Sequence, residues 1–283
     1  MTQPGTATQG TATAAAITSA YAAQTASVRT RFLAVLGATW LGLGAWRTAD
    51  MHRFLSTTLP MVAGAQRLMG SLTDAYLSSV VSALTGSSSL PVGLANSVVS
   101  GHELRGVPPA EVYRRPFVAT WTALSDGQSL DAAVKQGGER LHSVASTDLQ
   151  LAKTHSASAA MQRMPRVTGY RRVPDATACA LCLIASTQRY HKADLLPIHP
   201  GCGCDVEPLV GNEPEGQVID RDLLNRIHAA VRQKFGTQNF SAREIGDTGL
   251  LYRDLIVTHH HGELGPVLAV RGQHFDGPGS IAA

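Results

Sequence analysis

The sequence predicts an α+β protein in which a mainly helical N-terminal region precedes a smaller α/β C-terminal region. Three observations support this class. Strand patterns are almost absent before Met164, apolar residues recur there at helical spacing, and every cysteine lies between Cys179 and Cys204. With 283 residues, 44% of them hydrophobic, the chain can bury a substantial core. The predicted parts are a flexible arm (1–28), a helical region (29–164), a cysteine-containing α+β domain (165–275) and a loose tail (276–283).

The N-terminal stretch is rich in Thr, Ala, Gln and Gly and has no charged side chain before Arg29. It offers little apolar surface to offset the entropy of ordering, so we predict a flexible arm over residues 1–28, helical at most from Ala14. Helical spacing then runs from about Ser27 to Trp46. The segment from Phe32 to Trp46 has 15 residues, fewer than the roughly 17–25 of a membrane-spanning helix. We predict a buried helix there, with a protein-binding surface as the second interpretation.

A second helical pattern covers Met51 to Leu84 and is interrupted at Pro60. The i, i+3, i+4 spacing predicts which residues share its buried face. That face comprises Leu68, Leu72, Ala75 and Ser79, with Tyr76 and Val80 beside it.

Gly, Ser and Pro residues mark the breaks that follow. Thr85 to Pro91 is a candidate linker, and Pro108-Pro109 forms a second break. Pro116 suits the first turn of the next helix, which Asp126-Gly127 ends. Ser129 can cap a further helix that continues to Arg163. The buried side of this last helix is predicted to include Leu141, Val144 or Ala145, Asp148 or Leu149, and Ala152.

After Pro165 the pattern changes from helical to extended. Val167 to Val173 is predicted as a strand, as is the short segment from Cys204 to Val206. Asp220 can cap a helix that carries Leu223, Leu224, Ile227 and Val231. Leu251 to Thr258 and Pro266 to Val270 are predicted to pair as a hairpin.

The cysteines form two turn-spaced groups within 26 residues. A C-x2-C pair is followed by H-x2-C-x-C, and thiolates and imidazoles that converge in this way match the closed tetrahedral coordination of structural Zn²⁺. The five candidate ligands are Cys179, Cys182, His199, Cys202 and Cys204, and which four of them bind is left open. Two disulfides, buried thiols and an iron–sulfur cluster are the alternatives.

A closed zinc site has no position for water, so its predicted role is folding rather than catalysis. The C-terminal region is therefore predicted to be zinc-stapled. The net charge of +3 gives no strong basic excess of the kind that a protein neutralising many phosphates would need. A local group of basic side chains is read as a solvated or salt-bridged face, with phosphate contact as the alternative: Arg163, Arg166, Arg171 and Arg172.

The segment from Gly169 to Pro208 resembles the zinc-motif region of MuF-like minor capsid proteins, the phage head morphogenesis family of tailed actinobacterial bacteriophages. The resemblance rests on an RR-V stretch, then C-x2-C, then an H-P-x-C-x-C box at His199 to Cys204. Val112 to Leu151 and His261 to Phe275 resemble other parts of such proteins. The similarity covers most of residues 105–275.

This resemblance implies a structural component of the virion, inside the capsid and near the portal, present in few copies. Its implied roles are head assembly or DNA packaging and exit. The implied partners are the portal, scaffold or major capsid protein, with contact to packaged DNA left open and no membrane partner. Because no basic stretch precedes an apolar core at the start of the chain, we expect the protein to stay in the host cytoplasm until it is incorporated.

An enzyme is the alternative, in the form of a capsid maturation protease that acts on scaffold or coat protein. His259 to His261, with Glu263 beside them, invite that interpretation, but the sequence has no H-E-x-x-H and no G-x-S-x-G. A weaker alternative is an HNH-type nuclease built on His191, Asp194 and His199, which do not form the expected pattern. We therefore predict no catalytic residue.

Overall fold

The computed structural model describes residues 4–93, 104–174, 180–195, 203–211, 218–225, 256–261 and 265–270. The described residues are mostly helical, with a small antiparallel sheet of three strands in the C-terminal part, so the α+β class is confirmed at this level. The long helices are α1 (Pro4–Leu41), α2 (Thr48–Thr85), α3 (Pro109–Ser125) and α4 (Leu130–Arg163). Within the described part of the chain, no helix combines the length and apolar content needed to cross a membrane.

The predicted flexible arm is wrong for residues 4–28, because α1 begins at Pro4. Small residues three or four positions apart let α1 approach α2 closely, and Tyr21 adds specific contacts. Its ring stacks on Tyr76 with centroids 4.1 Å apart, and its hydroxyl is hydrogen-bonded to Thr73 at 2.7 Å. The stretch is poor in apolar surface of its own, but α2 supplies the partner surface. The buried positions on this part of α1 are Ala14, Thr18, Tyr21 and Thr25.

Helix α2 differs from its prediction in two respects. It continues through Pro60, which lies exposed, so that water can reach the carbonyl left without a helical donor. Its buried face is also rotated from the predicted one, since Leu68 is 46% exposed while Met69 is 1% exposed. Packing against α1 and α4 selects this face, which includes Met69, Thr73, Tyr76, Leu77 and Val80.

The predicted breaks are largely confirmed. Gly86, with a φ of 62°, ends α2, and Asp126-Gly127 ends α3. Ser129 caps α4, where its Oγ accepts the Ala132 N–H at 3.3 Å. The start of α3 differs, because Pro109 occupies its first turn and Pro116 lies buried inside the helix.

The core of the bundle is built around Trp40, so the buried-helix prediction for Phe32 to Trp46 is confirmed in part: Phe32, Leu36 and Trp40 are buried, but α1 ends at Leu41 and the residues up to Trp46 are not helical. The Trp40 ring contacts Phe54 and Phe117 edge-on, and its Nε1 donates to the Val134 carbonyl at 3.0 Å. Helix α4 presents Gly137 to this ring, and a Cβ at that position would lie 2.6 Å from a Trp40 ring carbon and 2.9 Å from the Pro116 carbonyl oxygen. A glycine is therefore required where α3, α4 and Trp40 meet.

Alanine substitutions at two glycines on neighbouring helices are expected to change the free energy of unfolding in opposite directions. Gly137→Ala should lower the free energy of unfolding by about 1–3 kcal/mol, because the methyl group overpacks the core. Gly37→Ala should raise it by about 0.5–1 kcal/mol, since a Cβ there meets nothing within 4 Å. Denaturant unfolding followed by tryptophan fluorescence measures both changes, because the three tryptophans lie in the bundle. Shifts of the same sign in both variants would contradict this packing.

The sheet has β1 (Val167–Val173) at its centre, between β2 (Arg189–His191) and β3 (Asp205–Val210). The prediction for β1 is confirmed at both ends, and the strand predicted at Cys204 begins at Asp205. A short helix, α5 (Ala180–Ser186), lies between β1 and β2 in sequence. A second hydrophobic cluster joins the sheet to the bundle, so both regions share a core: its largest members include Tyr21, Tyr76, Met161 and Tyr170.

The remaining described segments agree with the predicted elements. Strand β4 (Ile256–His261) pairs antiparallel with β5 (Gly265–Val270), which confirms the predicted pairing, although β4 continues past the predicted end at Thr258 to His261. The Asp220 Oδ1 accepts the Leu223 N–H at 2.8 Å, as the predicted cap requires. The later part of that helix, with Ile227 and Val231, and the predicted tail lie outside the described residues.

Candidate metal site

The backbone brings the two halves of the cysteine motif to the same end of the sheet. Val173, the last residue of β1, is the register partner of Asp205, the first residue of β3. The C-x2-C half follows β1 in sequence, and Cys204 immediately precedes Asp205. Antiparallel pairing therefore places the exit from β1 beside the entry to β3, where ligands from both halves can converge.

Two of the five predicted ligands belong to the described part of the chain. Cys182 lies on α5 and is 1% exposed, whereas Cys204 is partly buried. Cys179, His199 and Cys202 lie outside the described residues. The described part alone contains no group of three metal-ligating side chains, so it tests neither the choice of ligands nor the disulfide alternative.

Cys182 and Cys204 both belong to segments that adjoin β1. Helix α5, which carries Cys182, contacts β1, and Cys204 immediately precedes β3, the neighbour of β1 in the sheet. Zn²⁺ held by four of the five candidates would cross-link α5 to the β1–β3 end of the sheet. When bound, the ion would hold the two segments together through its ligand bonds, and its closed coordination would leave no position for a reacting water molecule.

An arginine packs against two stacked tyrosine rings on the sheet. The rings of Tyr170 and Tyr190 stack with centroids 5.2 Å apart, and the Arg172 guanidinium lies 5.8 Å from each centroid. Gly169 allows β2 this close, because a Cβ there would lie 2.5 Å from the Tyr190 carbonyl oxygen. The Tyr170 hydroxyl donates to the Asp194 carbonyl at 3.1 Å and fixes the ring.

The arginines that the sequence groups together have separate roles. Arg172 is buried, Arg171 forms an ion pair with Glu207 at 2.9 Å, and Arg166 donates to the Thr85 hydroxyl at 3.3 Å. These contacts favour the salt-bridged interpretation over a shared phosphate-binding surface.

A buried ion pair fastens the candidate site to the bundle. Lys153 on α4 pairs with Asp205, the residue after Cys204, and both side chains are largely buried. The Lys153 Nζ also lies 5.7 Å from the centroid of the Tyr21 ring, and the Tyr76 hydroxyl donates to the Val206 carbonyl at 3.0 Å. Sequence reasoning missed Lys153. Its signal was that Lys153 is the only lysine or arginine between Arg140 and Arg163 on α4.

The residues considered for catalysis are dispersed or undescribed. His191 and Asp194 are exposed, and the Nδ1 of His191 accepts the Ala193 N–H at 3.3 Å. His259 to His261 lie in β4, with His259 opposite Val267. His199 lies outside the described residues.

The structure thus places Cys182 on α5, which contacts β1, and Cys204 immediately before β3, while Cys179, His199 and Cys202 stay predictions. It also adds Lys153, whose ion-pair partner Asp205 directly follows Cys204. No family model, no curated protein and no solved structure matches this chain, so the resemblance to MuF-like proteins stays a prediction.

Proposed function

We propose that this chain is a structural, non-enzymatic minor capsid protein of a tailed phage. It associates with the portal and the capsid interior and aids head assembly or DNA packaging and exit. The observation that carries this proposal is the C-x2-C and H-P-x-C-x-C motif, set between β1 and β3 in a segment that resembles the head morphogenesis family. Zn²⁺ held by four of Cys179, Cys182, His199, Cys202 and Cys204 would staple that segment.

Two features of the geometry support a structural role. Helices α1 and α2 have 38 residues each, so each spans about 57 Å at 1.5 Å per residue. These long helices pack on one another and on α4, and long packed helices are suited to bridging other components. The Lys153–Asp205 pair and the shared hydrophobic cluster join these helices to the sheet.

Reconstituted heads test this proposal. The portal, scaffold and coat proteins of the phage that encodes this chain are expressed with and without it, and the heads are isolated on a density gradient. We expect the protein to cosediment with the heads in a few copies, measured by quantitative mass spectrometry, and to be lost when the portal is omitted. Heads that never contain the protein would contradict the proposal.

The same heads distinguish the protease alternative. Mass spectrometry of the coat and scaffold chains is expected to show the same termini whether or not this protein is present. New termini that appear only in its presence would favour a maturation protease.

A further inference from the structure

A groove runs between the C-terminal part of α1 and the first half of α4, and we call it the α1–α4 groove. In the described part of the chain it is open to solvent, and its volume is about 280 Å³. Its lining is apolar except for Lys135 and His142, and Gly37 and Gly138 contribute no side chain to it. Such a groove has room for bulky apolar groups, since a cavity of about 150 Å³ already accepts a benzene molecule.

The apolar surface continues from the α1–α4 groove onto the exposed side of α1. Leu41 lines the groove and is 71% exposed, and Ala34 and Ala38 are exposed on the same side of the helix. On the other side of this segment, Phe32 is buried in the bundle. A helix at the surface of a protein normally has a polar outer face. An outer face that is apolar over residues 32–41 therefore indicates a binding surface.

Helices α1 and α4 run antiparallel along the groove. The Trp40 Nε1 donates to the Val134 carbonyl at 3.0 Å, whereas Lys153, later in α4, lies 5.7 Å from the ring centroid of Tyr21, earlier in α1. The part of α1 that lines the groove, residues 33–41, spans about 12 Å at 1.5 Å per residue. This length matches about two turns of a helix.

The two ends of the α1–α4 groove differ in charge. Arg29 lies one helical turn before the groove-lining part of α1, and both charged residues of α1 are arginines. At the opposite end, Lys135 lies 3.9 Å from Glu139, and Asp131 lies one turn before Lys135 on α4. These α4 charges offset one another, so the net positive charge lies at the Arg29 end.

We propose that the α1–α4 groove binds a short amphipathic helix of a partner protein, with apolar side chains in the groove and acidic residues at the Arg29 end. Insertion of the apolar face of a helix into a groove is a recurring mode of peptide recognition, and opposite charges at the rim fix its register. Helix α1 has no acidic residue, so α1 of a second copy does not supply this chemistry. The groove belongs to the bundle, and the inference is therefore independent of the metal site and of the proposed function.

Two synthetic peptides test this inference on the full-length protein. Each is an alanine-based helix of about 15 residues, with leucines three and four residues apart on one face. One peptide carries glutamates in its first and last turns, and the other carries lysines at the same positions. Fluorescence anisotropy of the labelled peptides measures binding. We expect the acidic peptide to bind about tenfold or more tightly than the basic one, with a smaller difference at high salt.

Matched variants locate the bound peptide. A Cβ at Gly37 and a Cβ at Gly64 both meet nothing within 4 Å, but of the two only Gly37 lines the groove. Gly37→Leu should fill the groove and weaken binding of the acidic peptide about tenfold or more, whereas Gly64→Leu should bind it like the parent. Arg29→Glu should remove the preference for the acidic peptide. Arg67→Glu, at an exposed cation on α2, should keep that preference.

Several results would overturn the inference. Equal binding of the two peptides would contradict the role of Arg29, and undiminished binding by Gly37→Leu would place the peptide elsewhere. Failure of both peptides to bind the parent would also overturn it. Light scattering tests the remaining occupant, because a dimeric parent with a monomeric Gly37→Leu variant would assign the groove to a second copy. Tryptophan fluorescence confirms that each variant keeps the folded bundle.

Discussion

Replacing Cys182 with Ser, or removing zinc with a chelator, is expected to unfold the C-terminal region while the helical bundle stays folded. In small zinc domains the metal contributes about 10–16 kcal/mol of binding free energy at neutral pH, and this energy is also folding free energy. The sheet has only three described strands, of which β2 has three residues. We therefore expect the region to lose several kcal/mol, while Trp40 and its aromatic neighbours hold the bundle.

The chain offers separate probes for its two regions. The four cysteines lie in residues 179–204 and the three tryptophans lie in residues 40–121. Thiol alkylation and limited proteolysis therefore report on the zinc region, and tryptophan fluorescence reports on the bundle. Elemental analysis of protein purified without added zinc should find about one zinc per chain. Absence of zinc in the parent, or a Cys182→Ser variant as protease-resistant as the parent, would rule out the staple.

Replacing Asp148 with Asn is expected to cause the largest loss of stability in the bundle. Asp148 Oδ1 lies 2.6 Å from the Arg105 Nε, and both side chains are at most 5% exposed. Its second oxygen accepts the Tyr113 hydroxyl at 2.9 Å. Asparagine keeps the shape but leaves Arg105 without this charge partner, and breaking a buried pair in this way costs about 3–5 kcal/mol.

An exposed pair on α3 provides the control for Asp148→Asn. Arg114 and Glu111 approach to 3.2 Å, but their side chains are 44% and 58% exposed. Glu111→Gln should change stability by about 0–1 kcal/mol, because water screens exposed pairs. Unfolding by denaturant, followed by tryptophan fluorescence, compares the two variants. If Asp148→Asn lost no more stability than Glu111→Gln, the buried pair would not hold α4 in place.

Helix and strand limits were predictable where the signal lies within a few residues. Ser129 bonds to the N–H three residues later, and the glycine in Asp126-Gly127 adopts the positive φ that ends α3. The β-branched and aromatic pattern of Val167 to Val173 likewise marks β1. Such capping and extension depend on local backbone geometry, which the neighbouring side chains largely determine.

The predictions about burial were wrong where contacts with residues distant in the sequence determine which side chains are buried. Residues 9–28 lack apolar bulk of their own, yet α2 supplies the surface that orders them, through contacts such as Tyr21 with Thr73. Leu68 and Met69 are both apolar, and the positions of α1 and α4 decide that Met69 rather than Leu68 is buried. Spacing also left Asp148 and Leu149 as alternatives, whereas both are buried because neighbouring elements surround the middle of α4.

The sequence by itself determined the class of the fold, the order of the long helices and of β1, β3 and the β4–β5 pair, and a set of five metal-ligand candidates, because spacing and capping act over a few residues; it did not predict α5 or β2. Only the tertiary structure decided that Val173 pairs with Asp205, that Lys153 joins the site to the bundle, and that Arg172 packs on the rings of Tyr170 and Tyr190. These contacts link residues far apart in the chain. They exist only after the helices have packed and the strands have found their register.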